Sequence, residues 1–206
     1  MCGRYAYFME KELDDLYSIL RDIESQIRIG EIAPSNVAPV LVPAQKNSSD
    51  KLFLTAVAMS WGWPRKTKGL HINARAESLD TQALYKKAMQ FGRCVAPASG
   101  FFEWQQVGKN KLRYFCTLAE QETMFLAGLH QKVVSTKGIL QDAFVVITRQ
   151  SSNDFEWLHP RMPLLIKKTD LHKWFAGEDL SFFTQSNLDR LQIAKGHSSN
   201  EQLELF

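Results

Sequence analysis

A cysteine at position 2 can do chemistry that a cysteine elsewhere in a chain cannot. Once Met1 is removed, Cys2 carries a free α-amine beside its thiol. The amine titrates near ~8 and the thiol near ~8.5, so both are partly nucleophilic around neutral pH. The amine can add to an aldehyde and lose water to give an imine. The thiol can then add across that C=N bond, closing a five-membered thiazolidine that reverts far less readily than the imine.

Other residues stand where packing alone would not ask for them. Asn73 and Arg75 lie two apart, so on an extended segment they point the same way. Glu103 sits between Phe102 and Trp104, and an acid enclosed by aromatics is expected to have a raised pKa suited to proton transfer. The alternative is a Glu on the outward face of a strand. His159 and Arg161 flank Pro160, whose ring restrains the turn that aims the imidazole. Arg4 lies two residues from the thiol. In Trp61-Gly62-Trp63-Pro64-Arg65-Lys66-Thr67-Lys68, aromatics and cations crowd a stretch that Gly and Pro keep out of regular structure. Such a loop could stack a base on Trp61 or Trp63 and neutralise phosphates. Equally, its tryptophans could plug the core beside a solvated basic turn.

These residues need a scaffold. The 206 residues, 45% of them apolar, suit one domain, read here as 2–195 followed by a polar tail at 196–206. Helical spacing marks 12–27 and 79–90, with a helical turn at 153–158 and a short helix at 169–175. Strands are expected at 4–8, 40–43, 51–60, 93–97, 101–106, 111–118, 124–130, 143–148 and 161–166, with a polar turn at 45–50. The strand at 143–148 is apolar throughout and should be buried on both faces. Many short strands with two main helices predict an α+β domain with a strongly bent, barrel-like and mainly antiparallel sheet. A net charge of +3 permits nucleic-acid binding without demanding it. Three cysteines without a CxxC and five scattered histidines give no disulfide framework and no metal cluster. With no leader-like start and no membrane-length apolar run, the chain reads as a soluble, cytoplasmic monomer that needs no cofactor.

Taken in order, Met1-Cys2-Gly3-Arg4, Asn36-Val37-Ala38-Pro39, Trp61-Gly62, Asn73-Ala74-Arg75-Ala76-Glu77, Pro97-Ala98-Ser99-Gly100-Phe101-Phe102-Glu103-Trp104 and His159-Pro160-Arg161-Met162-Pro163 resemble the SRAP family, the SOS-response-associated peptidases that process abasic sites in DNA. The resemblance spans 2 to about 175. It departs from the family pattern at Ser99, where relatives often carry Asp, and in a shorter loop after Gly62. It implies that Met1 is lost by self-cleavage and that Cys2 traps the ring-opened aldehyde of an abasic site in single-stranded DNA. Asn73 would hold the Cys2 terminus, Glu103 would shuttle protons and His159 would promote ring opening of the sugar. Arg4, Arg75 and Arg161 would grip phosphates, with Asn36 a further contact. An imine intermediate also permits β-elimination, a lyase activity, and the bound protein would follow DNA to the nucleoid.

A rival reading is an N-terminal-nucleophile amidohydrolase of the glutamine-amidotransferase type, which also begins Met-Cys-Gly, but the chain lacks the Asn-Gly-Gly segment of that class. At the other end, Gln202-Leu203-Glu204-Leu205-Phe206 resembles the peptide by which bacterial repair proteins dock on the sliding clamp. Gln202, Leu203, Leu205 and Phe206 are the expected contacts.

Overall fold

The structure, a computed structural model, describes residues 2–8, 16–44, 52–119, 123–185 and 191–195. In chain order the elements are β1 (Tyr5–Tyr7), α1 (Tyr17–Leu20) running into a 3-10 helix (Arg21–Gln26), β2 (Gly30–Ile32), β3 (Val37–Pro43), β4 (Leu54–Trp61), β5 (Trp63–Pro64), β6 (Leu70–His71) and β7 (Asn73–Arg75). A 3-10 turn (Ala76–Ser78) leads to α2 (Ala83–Phe91), β8 (Arg93–Ala98), β9 (Gly100–Val107), β10 (Asn110–Thr117), β11 (Met124–Val134) and β12 (Leu140–Gln150). The chain continues through α3 (Asn153–Glu156), β13 (Arg161–Pro163), β14 (Leu165–Ile166), α4 (Leu171–Ala176), α5 (Leu180–Gln185) and β15 (Gln192–Lys195).

Five strands close on themselves in the order β11, β12, β4, β3, β8 and back to β11, giving the expected barrel-like sheet. Its pairings are antiparallel except β12 with β4, which run parallel. Residues 143–148 are all buried, as their unbroken apolar run predicts. A second, five-stranded sheet runs β15-β10-β9-β1-β2. The two meet through aromatics: Tyr5 of β1 lies 5.2 Å from Trp61, which stacks on Phe144 of β12 at 6.3 Å.

The segment 12–27 departs from expectation. Its described part holds only one α-helical turn before tightening to 3-10, since none of 21–26 is buried and no packing face supports a longer helix; residues 12–15 lie outside the described residues, as does the turn at 45–50. The helix foreseen at 79–90 begins at Ala83, and the strand at 161–166 is broken in two. β2, α5 and β15 were not expected.

The loop after β4 also differs. Trp63–Pro64 pairs with Leu70–His71 as a small hairpin. Gly62 makes the corner with φ +115°, its N–H donating to Phe144 O at 2.7 Å, and a Cβ there would stand 3.0 Å from Leu70. Trp61 and Trp63 are fully buried, with their indole N–H groups donating to Ile72 O (2.9 Å) and Ala143 O (3.0 Å). That corrects their assignment as DNA contacts: a ring whose faces and N–H are committed to the core has none left for a base. Either residue replaced by Ala should therefore lower stability by about 3–5 kcal/mol in urea unfolding, whereas a surface stacking residue would leave it nearly unchanged.

Candidate active site and its basic groove

The first residues are built into the second sheet. Tyr5 pairs with Phe101, and the ladder continues beyond β1 as Phe102 N–H donates to Arg4 O at 2.9 Å. This draws the chain's start onto β9, and its close approach to β10 depends on Gly100, where a Cβ would meet the Phe115 ring at 2.5 Å and Cys116 O at 2.7 Å. Cys2 is fully buried, and its thiol faces Arg4 O at 3.9 Å. Burial, then the neighbouring Glu103 carboxylate, push that thiol well above its ordinary value, so it stays protonated at neutral pH. The backbone of Cys2 is fixed from the barrel side: Asn73 Nδ2 donates to Cys2 O at 2.8 Å.

Asn73 comes from β7, which lies parallel to β12 with Asn73, Ala74 and Arg75 opposite Val146, Ile147 and Thr148. Ala74 is buried and its two neighbours face the other way, Arg75 exposed to solvent. Glu103, 2% exposed, lies on β9 opposite Tyr114. Strand alternation puts Glu103 on the face of Phe101 and Cys116, while Phe102 and Trp104 occupy the other face beneath the Arg113 guanidinium, at 3.9 and 5.7 Å. The aromatics beside Glu103 in sequence are thus not what encloses it. Cys116 registers its nearness: burial and then Glu103 raise that thiol too.

His159 is half-buried in the turn after α3, where Arg161 N–H donates to its Nδ1 at 3.0 Å and Arg161 O lies equally near. Which contact Nδ1 makes follows the tautomer: bare, it accepts from the Arg161 N–H, and carrying a proton it can donate to the carbonyl instead. Arg161 is only 14% exposed, and meets both oxygens of Glu77 (3.1 and 3.0 Å), Thr148 O (2.6 Å) and Thr148 Oγ1 (3.2 Å). Arg4 donates to Glu31 Oε1 at 2.7 Å, and Arg113 bonds the other Glu31 oxygen. Asn36 shapes its own turn, its Oδ1 accepting from Ala33 N–H at 2.9 Å beside Ser35 at φ +69°. Asn73, Arg75 and Arg161 line one groove of about 550 Å³ with Arg65, His71, Glu77 and Tyr85. Among the described residues no three His, Cys, Asp or Glu side chains converge as metal ligands, and no helix is long and apolar enough to cross a membrane.

Sequence reasoning missed Glu31 and Arg113, whereas Arg65 stood in the Trp61–Lys68 stretch expected to neutralise phosphates. Glu77 stood in the Asn73–Glu77 motif, but its partner lies 84 positions away. Met1 and the clamp-like residues Gln202 to Phe206 lie outside the described residues.

Asn73 is thus the residue that touches both the buried Cys2 and the arginine-lined groove, and Cys2, Glu103 and His159 are not among the groove's lining residues. The chain belongs to the SOS response associated peptidase (SRAP) family, whose model matches residues 1–198. Among similar proteins, the abasic site processing protein YedK of Escherichia coli is 30% identical over 185 residues, covering 86% of this chain and 81% of the relative. Abasic site processing protein YoqW of Bacillus subtilis is 29% identical over 84% of this chain and 80% of its own. The yeast protein YMR114C, named likewise, is 27% identical across the whole chain, which spans 63% of its length. Crystal structures of proteins from Bordetella bronchiseptica (TM-score 0.75, 17% identity, 96% of this chain and 100% of that one) and Bacteroides thetaiotaomicron (0.74, 17%, 94% and 91%) share the fold.

The ion pairs make a pH prediction. Burial alone would raise Glu31 and Glu77, but hydrogen bonds from Arg113 and Arg4, and from Arg161, outweigh it and hold both carboxyls below 4.5. A depressed carboxyl stabilises the fold above its unfolded pKa and loses that contribution as pH falls through its folded value. Chemical unfolding should therefore show stability falling below about pH 4.5, and less steeply in Glu77→Gln, with part of the effect screened by salt.

Proposed function

We propose that the protein processes abasic sites in single-stranded DNA by forming a covalent thiazolidine link through Cys2 once Met1 has been hydrolysed away. The observation that carries this reading is the Asn73 bond to Cys2 O, which ties the N-terminal cysteine to the rim of a groove bearing Arg65, Arg75 and Arg161. The names of the relatives point to the same lesion.

Each step balances without an outside oxidant. Water is consumed as the Met1–Cys2 peptide is cleaved, freeing the amine. The amine attacks the C1′ aldehyde of the opened deoxyribose and a water leaves, giving the imine. Sulfur then bonds to that carbon while the nitrogen gains a proton. A thiol held protonated by burial needs a base to take its proton as sulfur attacks, and Glu103 is the nearby acid–base group. It can carry the same proton to the imine nitrogen and serve in Met1 removal. His159 assists opening of the sugar by giving a proton to the ring oxygen, a general-acid contribution of roughly 10²–10⁴-fold. Asn73 acts on position, by keeping the Cys2 carbonyl fixed while its nitrogen changes from amide to amine to imine.

Arg75 is open to solvent and meets a phosphate directly. Arg161 and Arg4 already hold carboxylates, so they contribute as oriented charges that exchange or share their partners with the strand. Contacts to phosphates carry no sequence code, so recognition follows strandedness and lesion rather than base order. The same imine can lose the 3′ phosphate by β-elimination, which gives the lyase activity.

A single-stranded oligonucleotide with one abasic site should give a heat-stable adduct on denaturing gels, with Met1 absent from the protein's mass. Cys2→Ala should give none, and an equal yield from that variant would end the proposal. Glu103→Gln and His159→Ala should slow adduct formation by roughly 10²-fold or more.

A further inference from the structure

We propose that Trp157 is a base-stacking residue of this site, seating one unpaired nucleobase of the bound single strand; the proposal rests on the DNA reading above. With Trp61 and Trp63 committed to the core, Trp157 is a large aromatic left open, at 50% exposure, against Gln105 and Tyr114 on the Glu103 face of β9 and β10. It is braced rather than loose. Phe155, two residues before it, is buried against Phe101 at 5.7 Å. The Trp157 carbonyl accepts from Gln105 Nε2 at 3.4 Å, and its ring meets Tyr114 edge-on, 5.3 Å between centroids at 88°. A T-shaped contact of this kind fixes the ring's orientation while leaving at least one indole face clear of Tyr114 for a ligand.

Its position ties it to the reacting groups. Gln105 follows Glu103 by two residues on β9 and shares its face, and Tyr114, which donates to Gln105 Oε1 at 3.3 Å, is the cross-strand partner of Glu103. Two residues beyond Trp157 the chain reaches His159. A strand whose lesion lies between Cys2, Glu103 and His159 therefore passes Trp157 with a neighbouring nucleotide. The charge nearby chooses which part of that nucleotide is bound. Asp154 and Glu156 of α3 repel a phosphate, so the indole receives the uncharged face of a base while the backbone follows Arg75 and Arg161.

The test uses the full chain and a short oligothymidylate carrying a tetrahydrofuran spacer, which lacks the aldehyde and cannot react. Trp157→Ala should weaken its binding roughly 5- to 150-fold, the range for loss of one stacked base. Trp157→Leu, which keeps apolar packing on Tyr114, should weaken it similarly, and Trp157→Phe should retain most of it. Removing the base at one position beside the spacer should abolish the difference between wild type and Trp157→Ala, and removal at other positions should not. With a reactive abasic strand, the loss should appear in the strand concentration needed for half-maximal adduct formation, not in the yield at saturation. Equal binding by Trp157→Leu and wild type, or a loss indifferent to which base is missing, overturns the stacking role even where wild type forms its adduct. A wild type that forms no adduct overturns the DNA reading itself, and a wild type that also fails to bind the strand overturns both.

Discussion

A chain terminus is ordinarily the least ordered part of a domain, yet the function proposed for Cys2 needs two adjacent nucleophiles in a fixed place. The constraint is met by holding the backbone of the first residues rather than the reactive atoms. Arg4 joins the β9 ladder from one side, and Asn73 holds the Cys2 carbonyl from the other. Those two contacts require the five-stranded sheet and the barrel to lie against each other, which the Tyr5, Trp61 and Phe144 rings enforce. Asn73 in turn is aimed by its parallel pairing with β12, the strand around which the barrel closes.

Charge is handled by the same economy of placement. Each site arginine except Arg75 and Arg65 has a carboxylate or a carbonyl waiting for it. Glu31 bridges Arg4 and Arg113, so one negative charge orients two positive ones and leaves an excess of one. Glu77 does the same work for Arg161 at the groove's wall. Pairing of this kind keeps Arg4, Arg113 and Arg161 extended without a ligand, which lowers the ordering cost when an anion arrives.

Much of this could be read from the residues alone, and the parts that could not share a cause. The strands expected between 93 and 130 and the buried run at 143–148 follow from local alternation and apolar content, which are properties of neighbours in sequence. The same holds for Asn73 and Arg75 on one side of an extended segment. Trp61 and Trp63 were ambiguous because composition cannot tell a tryptophan beside lysines from one beneath them; only the bonds to Ile72 and Ala143 decide it. Glu103 was singled out for its flanking aromatics, which in fact face away from it. Glu31 and Arg113 left no local signal, since their pairing spans 82 positions. Barrel closure through a parallel β4–β12 contact is likewise invisible to any window of sequence.

The long spans have a temporal side. The Cys2 carbonyl waits for Asn73, 71 residues downstream, and Asn73 itself is aligned only when β12 arrives beyond residue 140. Contacts so far apart in sequence form late, because loop closure must be completed before they stabilise anything. On the ribosome, the residue made second is therefore among the last to be secured.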